Sequence, residues 1–127
     1  REEALEQLTR DHTWVEDMVL LGSMSRTEAE NHPNRHMLTR AIGTESDAEP
    51  DVFTFSLREG DVYMLCSDGL TNHVEDPEIA KILNGNGPSE SAWKLVGAAL
   101  VGGGSDNTTC IVVRLDGLTA VSEETRP

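Results

Sequence analysis

The chain has 127 residues, of which 23 are acidic and 10 are basic, for a net charge of −13. This length predicts one domain, and the acidity excludes DNA, RNA and anionic membranes as main partners, because neutralising phosphate requires an excess of Lys and Arg. Only 37% of the residues are apolar and 4% are aromatic, which predicts a thin core or a chain that is part of a larger protein.

The sequence shows no sign of a membrane or secretory segment. No apolar run reaches the roughly 18 residues of a membrane-spanning helix, and no signal peptide is recognisable near Arg1. A first residue other than Met is consistent with a fragment, a processed chain or a trimmed one. Cys66 and Cys110 lack metal-ligand and C-x-x-C spacing, and each lies in an apolar run. We interpret them as small buried hydrophobic residues in a reducing cytoplasm.

Two short helices are predicted first in the chain, over about 14–21 and 26–31. Thr13 stands three residues before Glu16, which is the spacing of a capping box at a helix start. Ser25 and Glu28 repeat this spacing, and the polar composition of their helix predicts a surface position.

Three segments then have the pattern of β-strands. Residues 36–42 are a possible strand, and 52–57 (V-F-T-F-S-L) alternate as a half-buried strand does. Residues 62–66 (V-Y-M-L-C) are almost continuously apolar, which predicts burial of both faces. The turn residues 59–61 (E-G-D) between the last two segments predict a hairpin.

The second half of the chain alternates helices with a strand. Asp76 as a cap, followed by Pro77, predicts a helix to about Leu83, and Pro88 or Ser89 opens a longer one. The predicted inner side of that longer helix consists of Ala92, Trp93, Leu95, Val96, Ala99 and Leu100. A strand is predicted over 108–115 (T-T-C-I-V-V-R-L), followed by a polar tail. The mixture of strands and helices predicts an α+β domain.

Two aspartates stand at the ends of the two most apolar predicted strands. Asp68 follows residues 62–66 in L-C-S-D-G-L, and Asp106 precedes residues 108–115 in G-G-S-D-N-T-T. If these strands are antiparallel neighbours, the two aspartates come to one edge of the sheet. If the strands are parallel, the aspartates lie at opposite edges. Antiparallel pairing is the commoner arrangement.

Two neighbouring carboxylates repel each other unless one is protonated or a cation binds between them. Mg²⁺ and Mn²⁺ suit such a site because they prefer oxygen ligands and need few carboxylates. Each motif alone is also ordinary turn chemistry, since Asp-Gly and Asp-Asn pairs are common in turns. The residues by themselves leave both interpretations open.

Five stretches of the chain resemble the metal-dependent protein serine/threonine phosphatases of type 2C, the PPM family. The two main motifs are L-C-S-D-G-L-T (65–71) and G-G-S-D-N-T-T-C-I-V-V (103–113). L-T-R-D-H-T (8–13), H-M-L-T-R-A-I-G-T (36–44) and the E-G-D turn follow the bacterial branch of that family. The resemblance extends from about Glu6 to Leu115.

The resemblance implies part of an α/β/β/α sandwich with antiparallel sheets and a binuclear Mg²⁺ or Mn²⁺ site in a cleft. It implies that Asp68 and Asp106 are metal ligands, that Asn107 is a neighbouring supporting residue, and that Ser67 and Gly69 shape the turn. The metals would activate a water that attacks phosphoserine or phosphothreonine in a phosphoprotein substrate. His12 and His36 are interpreted as structural, with His73 near the cleft.

The resemblance also implies that residues 1–116 form the C-terminal portion of a catalytic domain, with a mobile flap over 14–44 and a polar tail over 117–127. The first half of that domain, with its phosphate-binding Arg and its N-E-D, D-G-x-G-G and G-D-S-R segments, has no counterpart in the chain. Arg1 would fall just after G-D-S-R.

We therefore expect a cytoplasmic phosphatase that is active only as a complete domain. The chain alone should bind metal weakly or not at all, and should self-associate or be complemented by the missing half. The alternative is a non-catalytic regulatory or protein-binding module whose acidic surface engages basic partners.

Overall fold

The computed structural model describes residues 4–43 and 49–119. The chain divides into two compact units, a helical unit (Gln7–Thr54) and a sheet unit (Phe55–Pro127 with Arg1–Glu6). The elements are, in order, α1 (Trp14–Leu20), α2 (Arg26–Glu30), β1 (Val62–Cys66), α3 (Asp68–Thr71), α4 (Asp76–Gly85), α5 (Pro88–Val101) and β2 (Cys110–Arg114). This mixture confirms the predicted α+β class.

The capping residues of the helical unit act as the sequence predicts. Thr13 Oγ1 accepts a hydrogen bond from the Glu16 backbone N–H at 3.3 Å and begins α1. Ser25 and Glu28 form a complete capping box on α2, with bonds of 3.2 and 2.8 Å in the two directions. The Glu16 carboxylate forms an ion pair with the Arg26 guanidinium, which joins the two helices.

The predicted strand over 36–42 is wrong, because isolated bridges take its place. Leu38 forms one antiparallel bridge with Thr13. The bonds around it join Met37 O to Trp14 N–H and Thr39 N–H to His12 O, both at 2.9 Å. Met37 and Leu38 stay 48% and 64% exposed, so this segment lacks the burial that would extend the pairing.

The predicted hairpin between 52–57 and 62–66 is also wrong. Residues 52–57 form no strand, and β1 pairs antiparallel with β2 from Val62↔Arg114 to Cys66↔Cys110. The turn at Gly60 explains the difference, because its N–H donates to Leu115 O at 2.7 Å and so aligns the chain with the end of β2.

One face of the two-stranded sheet packs against helices and forms the core of the sheet unit. The face contributes Val62, Met64, Cys110 and Val112, and the buried cluster beside it consists of Leu70, Val74, Ile79, Leu83, Leu95 and Ala99. The opposite face stays open: Leu65, Ile111 and Val113 are 60%, 57% and 43% exposed. The prediction that β1 is buried on both faces is therefore wrong. So is the predicted burial of Cys66, whose thiol lies at the exposed end of β1.

The two long helices differ from prediction at their ends and on one face. Glu75, not Asp76, is the cap residue of α4, and the helix continues to Gly85. Trp93 and Leu100 of α5 are 79% and 62% exposed, although both were predicted to be inside. The buried stripe consists of Ser91, Leu95 and Ala99, which are spaced by four residues, so the prediction is confirmed at Leu95 and Ala99 and wrong at Trp93 and Leu100.

Candidate metal site

Antiparallel pairing of β1 and β2 brings residues 67–69 and 107–109 together at one end of the sheet. Ser67 makes three hydrogen bonds across this junction. Its N–H donates to Thr109 O at 3.0 Å, and its Oγ accepts from Thr109 N–H at 3.0 Å and donates to Asn107 O at 3.2 Å. Because Thr109 is bonded to a side chain here, β2 begins at Cys110, two residues later than predicted.

Gly69 allows the first turn of α3 to lie directly against the other segment. A Cβ at this position would lie 2.1 Å from Asn107 O and 2.9 Å from Asn107 C. Neither atom can move independently of the backbone, so a larger residue would separate the two segments. Gly69 is itself buried, in keeping with its predicted role in shaping the turn.

Asp68 lies within one of these joined segments, and Asp106 directly precedes the other. Asp68 is the first residue of α3, and Asp106 lies in the loop before β2, where its Oδ1 accepts the Asn107 N–H at 2.7 Å. Both residues are exposed. The parallel arrangement, which would have put the aspartates at opposite edges of the sheet, is excluded by the observed register.

A pair of carboxylates is only part of a coordination set for a divalent ion. Among residues 4–43 and 49–119, no group of three or more His, Cys, Asp or Glu side chains is arranged to hold a metal. Mg²⁺ completes its octahedron with waters and phosphate oxygens, so two carboxylates are chemically compatible with it.

His73 contacts the loop that carries Asp106. Its Nε2 lies 2.8 Å from Ser105 Oγ and accepts the Ser105 N–H at 3.3 Å. The sequence predicted only that His73 lies near the cleft, and the Ser105 contact was missed. The two residues are 32 positions apart, and nothing in their local sequence indicates that they meet.

His12 and His36, the other two histidines considered in the sequence analysis, belong to the helical unit. His36 is exposed in a turn region, and His12 Nε2 lies 2.8 Å from Asp51 Oδ2. The Asp51 carboxylate also accepts a bond from Arg40 Nη1 at 2.7 Å. The hydrogen bonds from His12 and Arg40 lower the pKa of Asp51 to about 2. This three-residue network was not predicted from the sequence.

No helix in the described part of the chain has the length and hydropathy needed to cross a membrane.

Comparison with known proteins gives matches over most of the chain. The family model described as stage II sporulation protein E (SpoIIE) matches residues 16–116. A serine/threonine phosphatase (stp) of Listeria monocytogenes is 40% identical over 113 residues, which cover 88% of this chain and 45% of that protein.

Solved structures agree with the sequence matches. The serine/threonine phosphatase PstP/Ppp of Mycobacterium tuberculosis superposes with a TM-score of 0.86 at 39% identity, covering 92% of this chain and 49% of that one. The PstP catalytic domain in complex with two manganese ions gives a TM-score of 0.76 at 38% identity, with 88% and 46% coverage. The chain thus spans about half the length of the phosphatases that it matches here.

Proposed function

The chain belongs to the SpoIIE family together with the bacterial PPM serine/threonine phosphatases, and on this premise we propose that it supplies the C-terminal part of a phosphatase catalytic domain. The complete domain would remove phosphate from phosphoserine and phosphothreonine in proteins. The observation that carries this proposal is the junction of residues 67–69 with 107–109, which brings Asp68 and Asp106 to the same end of one sheet.

The donor set at this junction fits Mg²⁺ or Mn²⁺. Asp68 and Asp106 offer exposed carboxylate oxygens, which are the ligands that these ions prefer. Ser67 and Gly69 would fix the position of Asp68, and Asn107 would orient the Asp106 carboxylate through its N–H. When bound, such metals supply an activated water and screen the charge on the phosphate oxygens. A related structure contains two manganese ions, which supports the choice of metal.

The cytoplasm is the compartment that we propose. Cys66 and Cys110 have neither metal-ligand nor C-x-x-C spacing in the sequence, which is compatible with a reducing compartment, where thiols persist. In the helical unit, residues 14–43 would belong to the flap that controls substrate access. The proposed polar tail is described only as far as residue 119.

The test is an activity assay on the complete domain with Mn²⁺ and a phosphothreonine peptide. Asp68→Asn and Asp106→Asn each remove a proposed metal ligand. Loss of a group that only supports a metal ligand lowers activity about 10- to 100-fold, and the decrease in these two variants should be larger than that. Asp116→Asn is the matched control, because Asp116 is an exposed carboxylate beyond the opposite end of β2. Full activity of both Asp68 and Asp106 variants would refute the proposed site.

The 127-residue chain by itself should show negligible turnover under the same conditions, because two carboxylates alone hold a divalent ion weakly. Robust turnover by this chain would show that the missing ligands are not needed.

The second candidate is a non-catalytic regulatory or protein-binding module of the same fold. It is favoured by the incomplete ligand set within the described residues and by the net charge of −13, which suits basic partners. The reading frame upstream of Arg1 discriminates the two candidates. N-E-D and D-G-x-G-G segments there would support the phosphatase, and their absence would support the module.

A further inference from the structure

The loop before β2 is fixed at three successive points. At its start, the N–H groups of Gly103 and Gly104 donate to Leu100 O and Ala99 O of α5 at 3.3 and 3.0 Å. Ser105 is then bonded to the His73 ring. After Asp106, the Asn107 carbonyl accepts from Ser67 Oγ at 3.2 Å.

Asp106 therefore lies between two anchored neighbours, and both anchors flank α3. Ser67 immediately precedes α3, and His73 follows it by two residues. The His73 backbone N–H donates to Leu70 O at 3.1 Å, and Leu70 is fully buried. The His73 ring, which binds Ser105, is thus connected to α3, the short helix whose first residue is Asp68.

The contact sets a requirement on the imidazole tautomer. For the Ser105 N–H to donate to Nε2, this nitrogen has to be an acceptor, which requires the neutral ring with its proton on Nδ1. The Ser105 hydroxyl lies 2.8 Å from the same nitrogen and can donate to it.

The glycines before Ser105 let the loop pack closely on His73. A Cβ at Gly102 would lie 2.5 Å from His73 O, and one at Gly103 would lie 3.3 Å from Nδ1. Gly103 also has a φ of +139°, which disfavours any larger residue. Close packing and two polar contacts together leave Ser105 little freedom relative to α3.

We propose that His73 is a positioning residue for the metal site: by binding Ser105 it sets where Asp106 stands relative to Asp68. This inference rests on the proposed function, since Asp106 is a ligand only in that proposal. His73 does not touch the metal or the substrate. Its contribution is to reduce the freedom of a ligand before the metal binds, which lowers the entropic cost of binding.

The test compares His73→Ala with His73→Gln in the complete domain, with Mn²⁺ binding measured by titration calorimetry and phosphopeptide kinetics measured at saturating Mn²⁺. The Gln side chain places an amide oxygen near the position of Nε2 and can accept the Ser105 N–H. His73→Ala should raise the Mn²⁺ Kd about tenfold or more, in the range known for groups that orient metal ligands. His73→Gln should restore most of the affinity, and KM at saturating Mn²⁺ should stay unchanged in both variants.

Two further variants complete the experiment. Ser105→Ala removes only the hydroxyl contact of an exposed loop residue, so it should raise the Mn²⁺ Kd less than His73→Ala does. It also tests the contact if His73→Ala fails to fold. Lys94→Ala, on the exposed side of α5, is the control and should bind Mn²⁺ normally.

The outcomes separate this inference from the function on which it rests. Weaker Mn²⁺ binding by Asp106→Asn, with unchanged binding by His73→Ala and Ser105→Ala, would overturn the positioning role and leave the metal site standing. Unchanged binding by Asp106→Asn would overturn the site itself. A His73→Gln variant as defective as His73→Ala would also overturn the proposal, because an acceptor for the Ser105 N–H would then not be what positions Asp106.

Discussion

At the scale of single residues, glycine determines how closely residues 67–69 and residues 107–109 of the candidate site approach each other. Gly69 and Gly97 are both helical, but their surroundings differ. A Cβ at Gly69 would overlap the Asn107 carbonyl at 2.1 Å, whereas a Cβ at Gly97 would meet nothing within 4 Å. The two positions therefore form a matched pair for the same substitution.

Gly69→Ala should destabilise the protein by about 1–3 kcal/mol, because the backbone of one segment has to move. Gly97→Ala should stabilise it by about 0.5–1 kcal/mol, because alanine restricts the unfolded chain and favours the helix. Urea unfolding of both variants measures the two changes. Equal effects would show that the close approach at Asn107 does not occur.

The hydrogen bonds of Asp51 with His12 and Arg40 make the stability of the helical unit depend on pH in the acidic range. Bonds from His12 and Arg40 hold the Asp51 pKa at about 2, below its ordinary value of 3.8. A carboxyl with a lowered pKa in the folded state stabilises that state above its unfolded pKa. The contribution is therefore complete above about pH 4 and is lost as the pH falls towards 2.

Carbon-13 NMR of the Asp51 carboxyl should show this low titration midpoint directly. In Arg40→Gln the midpoint should rise towards 3.8, because one of the two hydrogen bonds to the carboxylate is lost. A midpoint near 3.8 in the unsubstituted protein would contradict the network.

The sequence was informative about residues whose role is local. Asp68 and Asp106 could be assigned to strand ends, because the apolar runs that they border are unambiguous, and the register then joined those ends. The contact between His73 and Ser105 could not be predicted, since it depends on how α3 and the loop after α5 pack. Short-range patterns carry no information about such a contact.

At the scale of elements, the register of β1 and β2 can be tested with the native cysteines. Ser67 N–H donates to Thr109 O, and Leu115 N–H donates to Asp61 O at 2.9 Å, so these are hydrogen-bonded pairs. By alternation Cys66 and Cys110 form a non-hydrogen-bonded pair, with Cα atoms about 4.5 Å apart. Disulfides form at Cα separations of about 4.4–6.8 Å.

Diamide should therefore oxidise the two thiols to an intrachain disulfide, with both hydrogens transferred to the diamide. Intact mass under non-reducing conditions detects this loss. Cys66→Ser and Cys110→Ser are controls that should give no intrachain bond. A register shifted by one residue would put the thiols on opposite faces and prevent the reaction.

The elements that were predicted correctly are those whose own sequence contains a capping residue or an apolar run. Capping residues fixed the starts of α1 and α2, and the apolar run fixed β1. The predicted hairpin failed because alternation over 52–57 shows that a segment can be a strand but not which strand it pairs with. In the structure β1 pairs with β2, and Phe55 stacks on Tyr63 of β1 with the ring centroids 5.5 Å apart.

At the scale of the whole molecule, the sheet unit has one apolar face that helices cover and one that they leave open. The open face contains Leu65, Ile111 and Val113, all more than 40% exposed. A contiguous exposed apolar surface is a common site of association. The net charge of −13 opposes association of like chains, but salt screens it.

The isolated 127-residue chain should therefore self-associate through this face, and more strongly as salt is raised from low concentration, because screening removes the repulsion but not the apolar attraction. Size-exclusion chromatography with light scattering measures the mass. Ile111→Lys places a charge in the centre of the open face and should restore the monomer. Trp93→Lys makes the same change on the exposed side of α5 and should leave association intact. If Trp93→Lys alone restores the monomer, then α5 and not the sheet is the associating surface, and the open face of β1 and β2 has no part in it.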